Sequence, residues 1–177
     1  MLTEHRFPTP IGEIVALAAP DGLCALQFAD RPEPLRRHLA RWYPGMAVRS
    51  GELPEVAAAL DAWFAGDLAA LDRLPLTLHG SPFQLAVWSA LREIPAGEVT
   101  TYGDLARTVG RPGAARAVGA ANAVNPVAIV VPCHRVVPAP TSPGSPVVAV
   151  GGYAGGAHRK EWLLAHEHTH ALTAAPA

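Results

Sequence analysis

The chain has 177 residues, half of them hydrophobic, with 14 Lys and Arg against 15 Asp and Glu and a net charge of -1. That is enough apolar material for one medium domain or two small ones with a real core, and the charge balance argues against a general polyanion binder. Two cysteines, Cys24 and Cys133, lie far apart with no secretory signal and no apolar run near the roughly 18 residues of a membrane span, which predicts reduced thiols in a cytoplasmic protein.

The average charge conceals a split. Residues 1–91 carry seven Arg and ten acids, a net of -3, whereas residues 92–177 carry seven Arg or Lys and five acids, a net of +2. The second half is the candidate for meeting an anion.

In chain order, residues 4–30 show short apolar runs separated by the turn signals Thr9-Pro10, Gly12 and Asp21-Gly22, which predicts a small antiparallel meander. "PEPLRRHLARWY" then sets Leu35, Leu39 and Trp42 at helical spacing, and "LPEVAAALDAWFAG" does so with Val56, Leu60 and Phe64. Residues 67–81 are irregular and suit a connection between lobes. "SPFQLAVWSALREIPAGEV" predicts a helix with Ser81 as N-cap, Pro82 at the first helical position and Phe83, Val87, Trp88 and Leu91 on one face.

"TYGDLARTVGRPGAARAVGAANAVNP" follows, two short alanine-rich helices broken by residues 110–113. The pattern is that of a helix-turn-helix, whose second helix, about residues 114–124, would be presented to DNA. Four prolines within residues 138–146 exclude regular structure there. "GGYAGGAHRKEWLLAHE" runs from a glycine-rich turn into a last helix with Trp162, Leu163 and His166 at packing spacing, and a frayed tail is expected after Thr169. The predicted fold is α+β: a small N-terminal antiparallel sheet with helices, then a mostly helical C-terminal domain containing the helix-turn-helix. The predicted division is an α/β lobe with its linker over residues 1–80 and a second domain over residues 81–177.

The chemistry centres on "VVPCHRVV", which sets Cys133 directly before His134 and Arg135. A thiol attacks as its thiolate, and an unperturbed cysteine with a pKa of about 8.5 is a few per cent ionised at neutral pH. His134 is the neighbouring base, and a third group must orient its ring; Glu161, His166 and Glu167 on the last helix are the candidates. Taken alone, a Cys-His pair is more often a buried small hydrophobe beside a histidine.

The surroundings carry more. "NPVAIVVPCHRVV" followed by "GGYAGGAHRKEWLLAHE", with "RAVG" at 116–119 and "GEVTTYGDLA" at 97–106 upstream, resembles the active-site region of the O6-alkylguanine-DNA alkyltransferases, the methylated-DNA-protein-cysteine methyltransferases. The resemblance spans about residues 83–167; the N-terminal lobe matches only in general layout. It implies that residues 81–177 form the DNA-binding and catalytic domain of a monomeric, single-turnover DNA-repair protein. Cys133 would accept an alkyl group from guanine O6, and less efficiently from thymine O4, as a stable thioether, with double-stranded DNA as partner and no cofactor.

By the same resemblance His134 is the base, acting through a water, Glu167 holds its tautomer, Asn125 ties the active-site turn to the recognition helix, and Tyr102 meets guanine N3. Arg116 enters the stack when the base is flipped out, and Ala114, Ala115, Ala117, Gly119 and Ala120 allow close approach to the DNA backbone from the minor groove. Arg135 is expected on the DNA side as well. The guanine pocket would be lined by the carbonyls of Cys133 and Val136, the amide of Ala154, and Tyr153 as a wall. Two features depart from the family: the stretch between Val137 and Gly151 is longer than is common, and His5 and Cys24 do not reproduce the zinc ligands some members carry, so no metal is expected there. His166, His168 and His170 are expected as a helix end and tail rather than a zinc cluster. Two other readings fit parts of the pattern, a non-catalytic binder of alkylated DNA and a Cys-His hydrolase. The acceptor thiol counts against the first, and the helix-turn-helix would have no purpose in the second.

Overall fold

In the computed structural model, which describes residues 1–139 and 150–174, the first 28 residues build three strands. β1 (Leu2–Phe7), β2 (Ile14–Ala19) and β3 (Gly22–Phe28) form the expected meander, with Arg6 opposite Val15 and Leu17 opposite Ala25. β4 (Val48–Ser50) adds to this meander by pairing parallel with β1, giving a mixed sheet of order β3-β2-β1-β4. The cause is the helix between them. α1 (Pro32–Trp42) carries the chain from β3 back to the end where β3 began, so β4 runs in the direction of β3, which is also that of β1.

Leu35, Leu39 and Trp42 of α1 pack on Leu2, Leu17, Cys24, Ala25 and Tyr43. α2 (Pro54–Phe64) buries Val56, Leu60 and Trp63. Trp63, 1% exposed, takes the place expected for Phe64, whose ring instead meets it edge-on.

Contacts gather Met1–His79 and Pro126–Val130 into one unit and Gly80–Asn125 and Val131–Ala177 into another. The short return segment is tied to β3 on both sides of Leu26, whose amide donates to Pro126 O at 2.9 Å and whose carbonyl accepts from the Ala128 amide at 2.8 Å.

The second unit opens with α3 (Pro82–Arg92), started by a capping box in which Ser81 Oγ accepts from the Gln84 amide and Gln84 Oε1 accepts from the Ser81 amide. Val87, Trp88 and Leu91 are its buried face. α4 (Tyr102–Thr108) and α5 (Ala115–Ala123) follow as the helix pair, with Gly110 at φ +70° ending the first. Trp88 Nε1 donates to Ala121 O at 3.0 Å and fastens α5 to α3.

A 3₁₀ turn, Cys133–Arg135, leads into β6 (Val136–Val137), which pairs parallel with β5 (Thr100–Thr101). The last helix, α6 (Ala157–Ala174), continues past Thr169, where fraying was expected. Its end is held by close packing: a Cβ on Gly97 would fall 2.7 Å from that of Ala171. The proline-rich stretch is only partly described, residues 140–149 lying outside the described residues, as do 175–177. Among the described residues no helix is long and apolar enough to cross a membrane.

The capping box generates a measurable expectation. Ser81→Ala should lower the stability of the second unit by about 1 kcal/mol, read as a lower urea midpoint at unchanged slope for the transition followed by Trp88 fluorescence.

Candidate active site

Two short strands set the geometry. Pairing of Thr100 with Val136 and Thr101 with Val137 brings the start of α4 beside the 3₁₀ turn, so Tyr102 and Cys133, 31 positions apart in sequence, line one pocket of about 270 Å³. Small-molecule sites run from roughly 300 to 1,000 Å³, so this one suits a single planar ring system. Gly119, Asn122 and Ala123 of α5 and Gly152, Tyr153 and Ala154 of the turn before α6 complete its lining.

The 3₁₀ turn that carries the thiol is bound to a carboxylate with no exposure at all. Glu167 Oε1 accepts from His134 Nε2 at 2.8 Å and from Arg135 Nη2 at 2.9 Å, while Oε2 accepts from Arg135 Nε at 2.9 Å and from the Gly97 amide at 3.4 Å. Burial pushes this carboxyl up, but the hydrogen bonds and charges of His134 and Arg135 outweigh it and hold it at about 2. His134, also fully buried, is pushed down chiefly by burial, against the pull of Glu167. The ring is thus neutral near pH 7, its Nε2–H commits to Glu167, and its Nδ1, an acceptor in that tautomer, has no hydrogen-bond partner among the described residues. Of Glu161, His166 and Glu167, it is Glu167 that meets His134.

Cys133 is 6% exposed, and burial raises its thiol above the ordinary range. Opposing that shift are Asn125 Nδ2, which donates to Sγ at 3.2 Å and to Val131 O at 2.7 Å, the charge of Lys160 and a backbone hydrogen bond at Cys133 itself. Asn125 follows the last turn of α5, so its amide joins the helix-turn-helix to the segment bearing the thiol. Lys160, 1% exposed, donates from Nζ to Val136 O at 2.6 Å, and burial lowers it to about 8. At rest Cys133 lines the pocket as a neutral thiol, and His134, the next residue, is a buried neutral imidazole.

The remaining expected residues fall on two sides. Arg116 is exposed on the first turn of α5, with Ala114 and Ala115 half-buried next to it. Tyr153 is half-buried, its ring 6.4 Å from that of His134 and nearly perpendicular to it, and Ala154 is exposed at the pocket edge. Cys133 O accepts from the Val136 amide, and Val136 O from Lys160. Arg135 is a correction: expected to reach DNA, it is 8% exposed with its guanidinium forked onto Glu167 and Nη1 donating to Ile94 O. A buried carboxylate needs a paired cation, and the 3₁₀ turn aims Arg135 inward to supply it.

Trp162 and His166 were expected on the packing face of α6 but stack on each other half-exposed, and the inner face is Lys160, Leu163 and Glu167. Sequence reasoning missed Lys160 and Asn122. The signal for the first was there, since Lys160, Leu163 and Glu167 fall at helical spacing.

Because Glu167 ionises more readily folded than unfolded, its contribution to stability is complete above about pH 4.5 and is lost as the pH falls toward 2. Glu167→Gln should therefore flatten the stability profile across that window, measured as the urea midpoint against pH for both proteins.

The comparisons with known proteins agree with this geometry. Residues 82–169 match the family described as 6-O-methylguanine DNA methyltransferase, DNA binding domain, and residues 2–78 match its ribonuclease-like domain. A methylated-DNA-protein-cysteine methyltransferase of Shigella flexneri is 56% identical over 170 residues, 94% of this chain and 95% of that protein. One from Mycobacterium leprae is 43% identical over 98% of this chain and 96% of its own. Among solved structures, Mycobacterium tuberculosis O6-methylguanine methyltransferase superposes with a TM-score of 0.76 at 37% identity, covering 100% of this chain and 96% of that one. Mycobacterium tuberculosis OGT in complex with DNA does so with 0.77 at 35%, covering 99% and 96%. With both halves matched and relatives aligned nearly end to end, the chain belongs to the methylated-DNA-protein-cysteine methyltransferase family.

Proposed function

We propose that this chain repairs DNA by moving an alkyl group from guanine O6, and more slowly from thymine O4, onto Cys133, each molecule acting once. The observation that carries the reading is a buried thiol facing a pocket for one ring system, in the same unit as a helix-turn-helix. The names of the relatives and the DNA-bound neighbour support it.

In the proposed reaction the thiol proton passes to His134 Nδ1, through a water where one bridges, while Glu167 balances the imidazolium that forms. The sulfur attacks the alkyl carbon in line, the S–C bond forms, and the electron pair of the C–O bond leaves with the base. That base regains a proton and departs as ordinary guanine. Atoms balance with no further reactant. Burial, and then the nearby Cys133, push the Tyr102 phenol up, so it stays protonated and can donate to the guanine as charge builds on it. Asn125 and Lys160 favour the thiolate once formed. A thioether has no good leaving group, so the protein is consumed.

The target atom lies inside a stacked duplex, so the nucleotide must first be extruded, at a cost of a few kcal/mol. Arg116, exposed at the start of α5, is the side chain assigned to fill the vacated space. Small residues along the same helix permit close approach to a groove whose readout is degenerate, which suits repair in any sequence. A reduced thiol fits a cytoplasmic setting.

Intact-protein mass spectrometry after incubation with an O6-methylguanine duplex tests the reading. One added methylene on Cys133, absent from Cys133→Ser, is expected; duplex binding without mass gain would favour a lesion binder. Arg116→Ala should slow transfer from the duplex by at least about tenfold, while reaction with free O6-benzylguanine stays near wild type; equal losses on both substrates would remove Arg116 from the flipping role.

A further inference from the structure

The buried face of α5 consists of Val118, Ala121 and Asn122, and the third of these is an amide. Asn122 is 8% exposed, and neither its Nδ2 nor its Oδ1 has a hydrogen-bond partner among the described residues. Buried polar groups in native proteins are nearly always satisfied, so an amide with both ends open implies a partner that arrives from outside. Asn122 lines the pocket that contains Cys133 and Tyr102.

Several neighbouring polar groups already hold a partner. Asn125 Nδ2 donates to Val131 O and Cys133 Sγ, Cys133 O accepts from the Val136 amide, and Val136 O accepts from Lys160. Asn122 is the amide side chain of this pocket whose donor and acceptor ends are both open among the described residues.

We propose that the Asn122 amide hydrogen-bonds to the edge of the extruded base and makes the site prefer alkylated guanine to alkylated thymine. The inference rests on the alkyl-transfer reading above. Alkylation at O6 removes the proton from guanine N1, leaving the exocyclic amine as the base's N–H donor, flanked by the ring acceptors N1 and N3. A planar amide matches that edge at two points, its Oδ1 accepting from the amine and its Nδ2 donating to a ring nitrogen. Turning the amide over preserves one donor and one acceptor. Thymine alkylated at O4 has lost its N3 proton and carries no N–H donor. Asn122 Oδ1 would remain buried and unsatisfied against it, and sites built to hydrogen-bond a substrate group discriminate strongly against analogues that lack it.

The test is the transfer rate from duplexes carrying O6-methylguanine, O4-methylthymine or O6-methylhypoxanthine, which lacks the amine, using wild type and Asn122→Leu, with thermal unfolding as the folding control. Asn122→Leu should lose at least about tenfold on O6-methylguanine and much less on O4-methylthymine, narrowing the preference. Removing the amine from the substrate should slow wild type but have little effect on Asn122→Leu, since both changes delete one interaction. Equal losses of the variant on guanine and thymine substrates, or fully additive effects of variant and missing amine, would overturn the proposal. Where Leu does not fold, Asn122→Ala takes its place with the same expectations. Wild type that transfers from none of the duplexes would instead overturn the alkyl-transfer reading, and this inference with it.

Discussion

A carboxylate sealed from water organises the site. Glu167 cannot stay ionised at zero exposure without several hydrogen bonds, and it draws them from the His134 ring, the Arg135 guanidinium and the Gly97 backbone. Those donors come from the 3₁₀ turn and from the turn after α3, so α6, the thiol segment and the loop leading into β5 are fixed to one point. Satisfying this charge also fixes the histidine tautomer, since Nε2 must hold the proton and Nδ1 must lack it. Structure and chemistry therefore depend on the same set of bonds.

The electrostatics around Cys133 describe a thiol that is held in reserve. Burial disfavours the thiolate, the Asn125 amide and the Lys160 charge favour it, and burial is the larger effect. A permanently ionised cysteine would be open to oxidation and to adventitious electrophiles, which a protein of one reaction cannot tolerate. In the proposed reaction the proton leaves when an alkylated base fills the pocket, and the resting neutrality of His134 is what lets it receive that proton.

The helix pair serves this pocket as well as the proposed DNA surface. α5 exposes Arg116 on its first turn, while Gly119, Asn122 and Ala123 line the pocket from the same helix. A Cβ on Gly119 would sit 3.8 Å from the Tyr102 ring, and Trp88 ties the helix to α3 through Ala121 O. Helix position and pocket shape are consequently set together, and a shift of α5 would be felt by Tyr102 and, through Asn125, by the sulfur.

Much of this was legible in the sequence because its signals are local. Apolar periodicity, the Ser81 cap and the glycine break after α4 depend on residues within a turn or two of one another, so the helices and the meander could be read directly, while Cys133 was singled out as the proposed nucleophile by the family its Pro-Cys-His-Arg motif resembles. Relations across the chain could not. The parallel entry of β4 depends on which way α1 carries the chain, and the attachment of residues 126–130 to β3 depends on backbone bonds with no side-chain signature. The inward turn of Arg135, the choice of Glu167 over its neighbours and the open amide of Asn122 depend on which groups share a buried space. Sequence determines which chemical groups are available and the period at which they recur; burial, and the need to satisfy every charge and amide within it, decides which of them meet.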